Sequence, residues 1–243
     1  MKACLVIPTY NERDNITPLF EKLLEEFKEI KDFDMEILIV DDNSPDKTWE
    51  IVNEFHEKHP NINLLLRTKK EGLGAAYIHG MNYAMDERKA DIIFQMDADL
   101  SHDPKLIKIF LENIKDYDVI IGSRYVKGGG FENWPWTRKL ISRGANTYAR
   151  LLLGLKIKDI SSGYRCYTKE ILKTVPWDKF DNKGYSFLEE LLYYCIKNGG
   201  KAKEIPLVFV DRKIGETKLN KAEMKNFLTG MIKVRLKHGK PKI

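Results

Sequence analysis

Asp91-Ile92-Ile93-Phe94-Gln95-Met96 runs directly into Asp97-Ala98-Asp99-Leu100-Ser101-His102. The first six residues read as a buried strand, and the acidic run marks its end. In extended backbone, residues i and i+2 point to the same side, so the carboxylates of Asp97 and Asp99 can face one ion. Hard oxygens of this kind suit Mg2+ or Mn2+, which keeps waters and takes its other ligands from a diphosphate. Such a pair is common by chance. At the C-terminal end of an apolar strand in an α/β sheet it is far more specific.

Outward from this stretch, strands alternate with amphipathic helices. Ala3–Ile7, Glu36–Val40, Asn63–Leu66 and Asp118–Ile121 are the further strands. Helices are predicted over Ile16–Ile30, around Trp49, Val52 and Phe55, over Gly74–Met85 and over Lys105–Ile114. Strands apolar on both faces imply an α/β fold with a mostly parallel central sheet flanked by helices. Their C-terminal ends then share one edge, where ligands bind. That edge gathers Pro8-Thr9-Tyr10-Asn11-Glu12, Asp41-Asp42-Asn43-Ser44-Pro45 and Asp97–His102. Each alone is ordinary turn chemistry; together they form one polar site. Gly72-Leu73-Gly74 lacks the full dinucleotide fingerprint and follows the third strand, so it reads as a tight strand-to-helix turn.

After Arg124 the regularity fails. Tyr125–Trp136, with consecutive glycines, reads as a mobile loop. Helices follow over Thr137–Leu153 and Phe187–Lys197, with a strand at Tyr164–Thr168 between them. One or two strands interrupted by Pro206 are predicted in Ala202–Val210, then a terminal helix over Lys221–Lys237. Arg138 and Ser142 stand one helical turn apart and can grip one phosphate. Arg212 and Lys218 flank Gly215 in a loop able to fold over an anion. Taken singly, each of these cations is as well read as solvated surface.

The composition, 43% hydrophobic and 32% charged over 243 residues, excludes a disordered chain or a disulfide-built miniprotein. Of 41 basic and 36 acidic residues, seven and one fall in residues 220–243, so this tail carries +6 and the rest −1. So mild an overall charge calls for no nucleic-acid partner. Cys4, Cys166 and Cys195 lack any metal-ligand spacing and read as buried thiols of a reducing compartment. No apolar run approaches the ~20 residues of a membrane span. The expectation is a soluble or peripheral chain on the cytosolic side.

PTYNE at 8–12, VDDNSPD at 40–46, YIHGMNYA at 77–84, MDADLSHDPK at 96–105, RKLISRGAN at 138–146 and DRKIGETK at 211–218 occur in a telling order. Over nearly its whole length the chain resembles the dolichol-phosphate mannosyltransferases, especially catalytic subunits without membrane spans of their own. The resemblance implies a GT-A fold and inverting transfer of mannose from GDP-mannose to dolichyl phosphate. It implies a single domain over 1–243: a nucleotide-binding half (1–124), an acceptor and closing-loop half (125–219) and a basic C-terminal helix and tail (220–243).

By position, Pro8, Tyr10, Glu12, Val40 and Asp42 resemble residues that hold the guanosine part of the donor. Asp97 and Asp99 resemble the ligands of Mg2+ or Mn2+, with Ala98 against the nucleotide. Ser101 stands where some relatives carry Gln and would join the metal directly or through water. Arg124, Arg138 and Ser142 resemble the acceptor-phosphate site, with Arg124 also near the donor. Arg212 and Lys218 resemble a pair closing on the diphosphate, and with Asp97 and Asp99 would carry catalysis.

The resemblance further implies a peripheral enzyme on the cytoplasmic face of a membrane, endoplasmic reticulum or archaeal plasma membrane, held by small membrane-embedded subunits. The terminal helix sets Phe227, Met231, Ile232 and Val234 among Lys225, Lys233, Arg235 and Lys237, a strip for the membrane surface or for packing on the sheet. Two rival readings stand: a polyprenyl-phosphate glucosyltransferase using UDP-glucose, and a non-catalytic nucleotide-binding adaptor.

Overall fold

The computed structural model describes residues 1–180, 186–210 and 221–238. Lys2–Thr9 (β1) and Asp34–Asp41 (β2) lie parallel, in a register that sets Pro8 against Val40 and Thr9 against Asp41. Side chains alternate sides, so Ala3, Leu5 and Ile7 enter one core while Cys4 and Val6 enter the other. Ile62–Leu66 (β3) adds to β2 and Ile92–Gln95 (β4) to β1, both parallel. This register brings the C-terminal ends of β1, β2 and β4 together.

Arg13–Lys28 (α1), Thr48–Lys58 (α2) and Leu106–Asn113 (α4) cover one face of the sheet, through Leu19, Phe20, Val52 and Phe110. Leu73–Asp86 (α3) covers the other, joined by Trp136–Leu153 (α5), Phe187–Lys197 (α7) and Lys221–His238 (α8). Gly80 lets α3 lie directly on the strands: a Cβ there would sit 2.6 Å from both Val6 and Val40. All three cysteines are buried thiols.

The second half departs from expectation in two places and adds a strand direction that the sequence left open. The sheet order is β3-β2-β1-β4-β7-β5-β8, with Val119–Ser123 (β5), Arg165–Thr168 (β7) and Ala202–Pro206 (β8). β7 runs antiparallel to both β4 and β5 while the other pairings are parallel, so the sheet is mostly parallel, as expected, with one reversed strand. A short strand buried on both faces carries no sequence mark of its direction.

The first departure is that Tyr125–Trp136 is not simply a loop. Gly130–Glu132 (β6) pairs in parallel with Val208–Val210 (β9) in a small second sheet, and Trp134 is buried with its ring stacked on Phe131. Secondly, a helix over Lys169–Lys173 (α6), capped by the Thr168 hydroxyl on the Ile171 N–H, follows β7. Among the described residues no helix is long and apolar enough to cross a membrane.

Candidate active site

The edge where β1 and β2 end is stitched by one carboxylate. Asp41 accepts from Thr9 Oγ1 at 2.7 Å and from the backbone N–H and hydroxyl of Ser44 at 2.8 and 2.7 Å. The Ser44 hydroxyl in turn accepts the Asn11 N–H at 3.1 Å, locking the two polar turns together. Asn11 and Asn43 adopt φ of 60° and 54°, a region asparagine tolerates. The N–H of Glu12 donates to Thr48 Oγ1, and its carboxylate accepts from Asn15 Nδ2 at 2.7 Å. The Lys70 ammonium lies 3.5 Å over the Tyr10 ring.

Asp42 is buried and paired with the equally buried Arg67 at 3.0 Å, and Arg67 reaches Glu71 with its other arm at 2.8 Å. Burial raises the Asp42 carboxyl above its ordinary range, against the pull of Arg67. Asp41 and Ser44 were read from the sequence as part of the polar edge but given no individual role, because turn propensity accounts for their types; Arg67 was not singled out, since it follows β3 with no motif around it.

At the end of β4, the Asp97 N–H donates to His102 Nδ1 at 3.1 Å. That nitrogen therefore carries no proton, and the Nε2–H side lies 3.8 Å from Asp97 Oδ2. The His102 ring is buried, stacked on Tyr164 at 4.8 Å, and burial lowers its pKa against the attraction of Asp97 and Asp99. Tyr77 Oη donates to Asp97 Oδ1 at 3.2 Å. Leu100 turns the chain with φ 63°, a left-handed conformation unusual for leucine, and Ser101 then folds back on Asp99. Its hydroxyl and N–H donate to Asp99 Oδ1 at 2.5 and 3.1 Å. Ala98 is buried between the two acids.

Gly163 stands where a Cβ would come within 3.2 Å of Asp97 Oδ2, keeping that side open. Two hard carboxylates two residues apart at a strand end, one of them beside such a space, fit a small divalent cation. Among the described residues no three acidic, histidine or cysteine side chains cluster as a complete metal cage. A cation here would thus take further ligands from substrate and water.

The expected acceptor residues form a second cluster. Arg124 makes a two-pronged contact to buried Asp159, both at 2.7 Å, and reaches Ser161 Oγ at 2.8 Å. Burial opposes its charge, and Asp159 more than offsets this. On α5, Ser142 Oγ accepts from Tyr125 Oη at 2.7 Å. One turn on, Asn146 Nδ2 donates to Ser161 Oγ at 2.8 Å and its Oδ1 accepts the Ile160 N–H at 3.0 Å. The Arg138 guanidinium lies 3.7 Å over the Trp134 ring.

Residues 159–163 run between the two clusters, gripping Arg124 and Asn146 at one end and, at the other, placing Gly163 where a side chain would crowd Asp97. Buried Glu189 is felt by this cluster through Arg165, Asp159 and Arg124, and its carboxyl is raised by burial to about 7. Arg212 and Lys218 lie outside the described residues.

A mixed sheet with an acidic strand end facing a nucleotide-type edge defines a GT-A glycosyltransferase fold. Solved structures agree. The mannosyltransferase PcManGT from Pyrobaculum calidifontis, in complex with GDP-Man and Mn2+, matches with a TM-score of 0.65 at 18% identity, covering 98% of this chain and 65% of that one. Glucosyl-3-phosphoglycerate synthase from Mycobacterium tuberculosis, with Mn2+ and UDP, also gives 0.65 at 17% identity over 97% of this chain and 79% of its own.

Residues 4–175 match Glycosyl transferase family 2, and the chain belongs to that family. It is 37% identical over 220 residues to the undecaprenyl-phosphate mannosyltransferase of Micrococcus luteus, covering 90% of this chain and 88% of that one. The polyprenol monophosphomannose synthase of Mycolicibacterium smegmatis is 38% identical, with 90% and 81% covered. The dolichol-phosphate mannosyltransferase of Pyrococcus furiosus is 42% identical over 90% of this chain, which spans 59% of that protein.

Proposed function

We propose that this chain transfers mannose from GDP-mannose to the phosphate of a polyprenol of the dolichol type, inverting the anomeric carbon. The observation that carries the reading is the nearness of its two clusters: residues 159–161 hold the Arg124–Asn146 network, and Gly163, two residues on, leaves open the space beside Asp97 that a side chain there would fill. A reaction between two anions needs that arrangement. The likeness of 90% of this chain to three mannosyltransferases of polyprenyl phosphates supports the sugar and the acceptor.

Asp97 and Asp99 would hold Mg2+ or Mn2+, with Ser101 orienting Asp99. When bound, the cation supplies Lewis-acid stabilisation of charge on the departing GDP. Pro8, Tyr10, Glu12, Val40 and Asp42 line the donor's nucleoside end. Arg138 and Ser142 present a cation and a hydroxyl to the acceptor phosphate, while Arg124, already clamped by Asp159, shapes the floor between donor and acceptor. Arg212 and Lys218 are assigned to the donor diphosphate. A phosphomonoester with a second pKa near ~6 is already anionic at neutral pH, so no side chain is assigned as general base.

The test incubates the purified full chain and Mn2+ with labelled GDP-mannose or labelled UDP-glucose, each with dolichyl phosphate. Label entering lipid from GDP-mannose alone supports the reading. Label entering only from UDP-glucose would replace the donor, and none from either would leave nucleotide binding without transfer.

A further inference from the structure

We propose that Trp134 is a positioning residue for the acceptor phosphate: its ring face holds the Arg138 guanidinium and ties it to the small β6–β9 sheet. The proposal rests on the acceptor-phosphate role of Arg138 and adds the aromatic scaffold that aims it.

Asn133, at φ 58°, turns the chain between β6 and α5 and brings Trp134 back over Phe131. The two rings stack at 4.4 Å with 27° between their planes. On the Trp134 ring also sits Arg138, its Cζ 3.7 Å from the ring centre. Two groups so near cannot share one face of an indole, so the ring is sandwiched between Phe131 and the guanidinium. Phe209 of β9 closes its side edge-on, at 5.6 Å and 73°.

Folding stability alone does not select this pair. Arg138 stands in the first turn of α5, the positive end of the helix, where a cation is disfavoured and an anion is welcome. Trp134 is buried, yet its indole N–H has no acceptor among the described residues. A phenylalanine or leucine would fill the core without that cost. What tryptophan offers in exchange is the strongest aromatic face for a guanidinium.

All three residues assigned to the acceptor phosphate rest on the same aromatic block. Tyr125, its ring edge-on to Phe131 at 5.6 Å, donates its hydroxyl to Ser142 at 2.7 Å. Arg124 lies 5.5 Å from the Phe131 ring and 5.8 Å from Phe209. Phe209 in turn meets the His102 ring edge-on at 6.3 Å. The block therefore reaches from the acceptor cations to the turn that carries Asp97.

The test measures KM for dolichyl phosphate and for GDP-mannose with the full chain and Mn2+, alongside the melting temperature of each variant. Trp134→Leu should raise KM for dolichyl phosphate about fivefold or more, with KM for GDP-mannose within about twofold of the parent's. Trp134→Phe, which keeps a ring face and loses the N–H, should recover most of the loss. Trp134→Met is a second ringless variant, so that whichever of the two melts like the parent decides. Combined with Arg138→Ala, the ringless substitution should add no further loss, because Trp134 acts through Arg138. A ringless variant with the parent's KM for dolichyl phosphate overturns the proposal. So do equal rises in both KM values, or losses that multiply with that of Arg138→Ala, since either makes Trp134 a packing residue. An acceptor KM unmoved by Arg138→Ala, or a parent that transfers no mannose, would instead defeat the proposed function and this proposal with it.

Discussion

The backbone N–H of Asp97 donates to Nδ1 of His102 at 3.1 Å, so the buried histidine braces the turn that aims the acidic pair. His102→Asn offers an amide oxygen near the position of Nδ1, while His102→Ala leaves the N–H of Asp97 without its acceptor. The alanine variant should weaken Mn2+ binding, read by electron paramagnetic resonance, by about tenfold, equivalent to one lost hydrogen bond of ~1.4 kcal/mol. The asparagine variant should recover most of it. Equal Mn2+ affinity in all three proteins would make His102 a packing residue only.

Asp97→Asn and Asp99→Asn remove the charge while keeping the shape. Each should cut transfer by about 10²–10³-fold or more, with little change in melting temperature, because both side chains serve a strand end rather than the core. Ser101→Ala should cost only several-fold, since its hydroxyl orients Asp99. A loss for Ser101→Ala as deep as for Asp99→Asn would assign the hydroxyl directly to the metal.

Arg124 and Asp159 form a buried pair in which either partner alone is an uncompensated charge. Asp159→Ala should destabilise the fold by about 3–5 kcal/mol in urea unfolding. Asn146→Ala should cost less, about 1–3 kcal/mol, by leaving buried backbone N–H groups of residues 160 and 161 without an acceptor. The ranking is the prediction; a reversed order would mean that Asn146 anchors the segment and the ion pair does not.

Glu189 gives the molecule a pH dependence with a definite sign. Its folded carboxyl lies at about 7 against an ordinary 4.5, so the folded state keeps a proton that the unfolded chain releases. Its contribution is full at acid pH and is lost as pH rises through about 7. The unfolding free energy of the parent from urea titrations should therefore fall between about pH 5 and 8 relative to Glu189→Gln, by on the order of 1–3 kcal/mol. Parallel curves for the two proteins would show that Glu189 is ionised throughout.

The alternating first half of the chain was legible because buried parallel strands and helices write their periodicity directly. Asp97 and Asp99 announced themselves by sitting at a strand end. Direction was not legible in β7, because Arg165–Thr168 pairs on both sides and is buried on both faces. Nor was β6 legible in a glycine-rich stretch, since its partner β9 lies far along the chain. The supporting residues were quieter still. Asp41, Arg67, His102 and Asp159 act through contacts whose sequence separation, from a few residues to dozens, no local pattern encodes. The terminal helix shows the limit most clearly: its mixed composition fits either face inward, and only packing decides that Met231 is buried and Leu236 exposed.

If this edge joins a sugar donor to a lipid phosphate in one displacement, the configuration of the lipid product records it. Purified full chain, Mn2+, GDP-mannose and dolichyl phosphate are incubated, and the lipid product is examined by nuclear magnetic resonance for carbon–phosphorus coupling and anomeric configuration. Mannose should appear on the lipid phosphate as the β-anomer, with an equal amount of GDP released. An α-linked product, or GDP release accompanied only by free mannose, would contradict it.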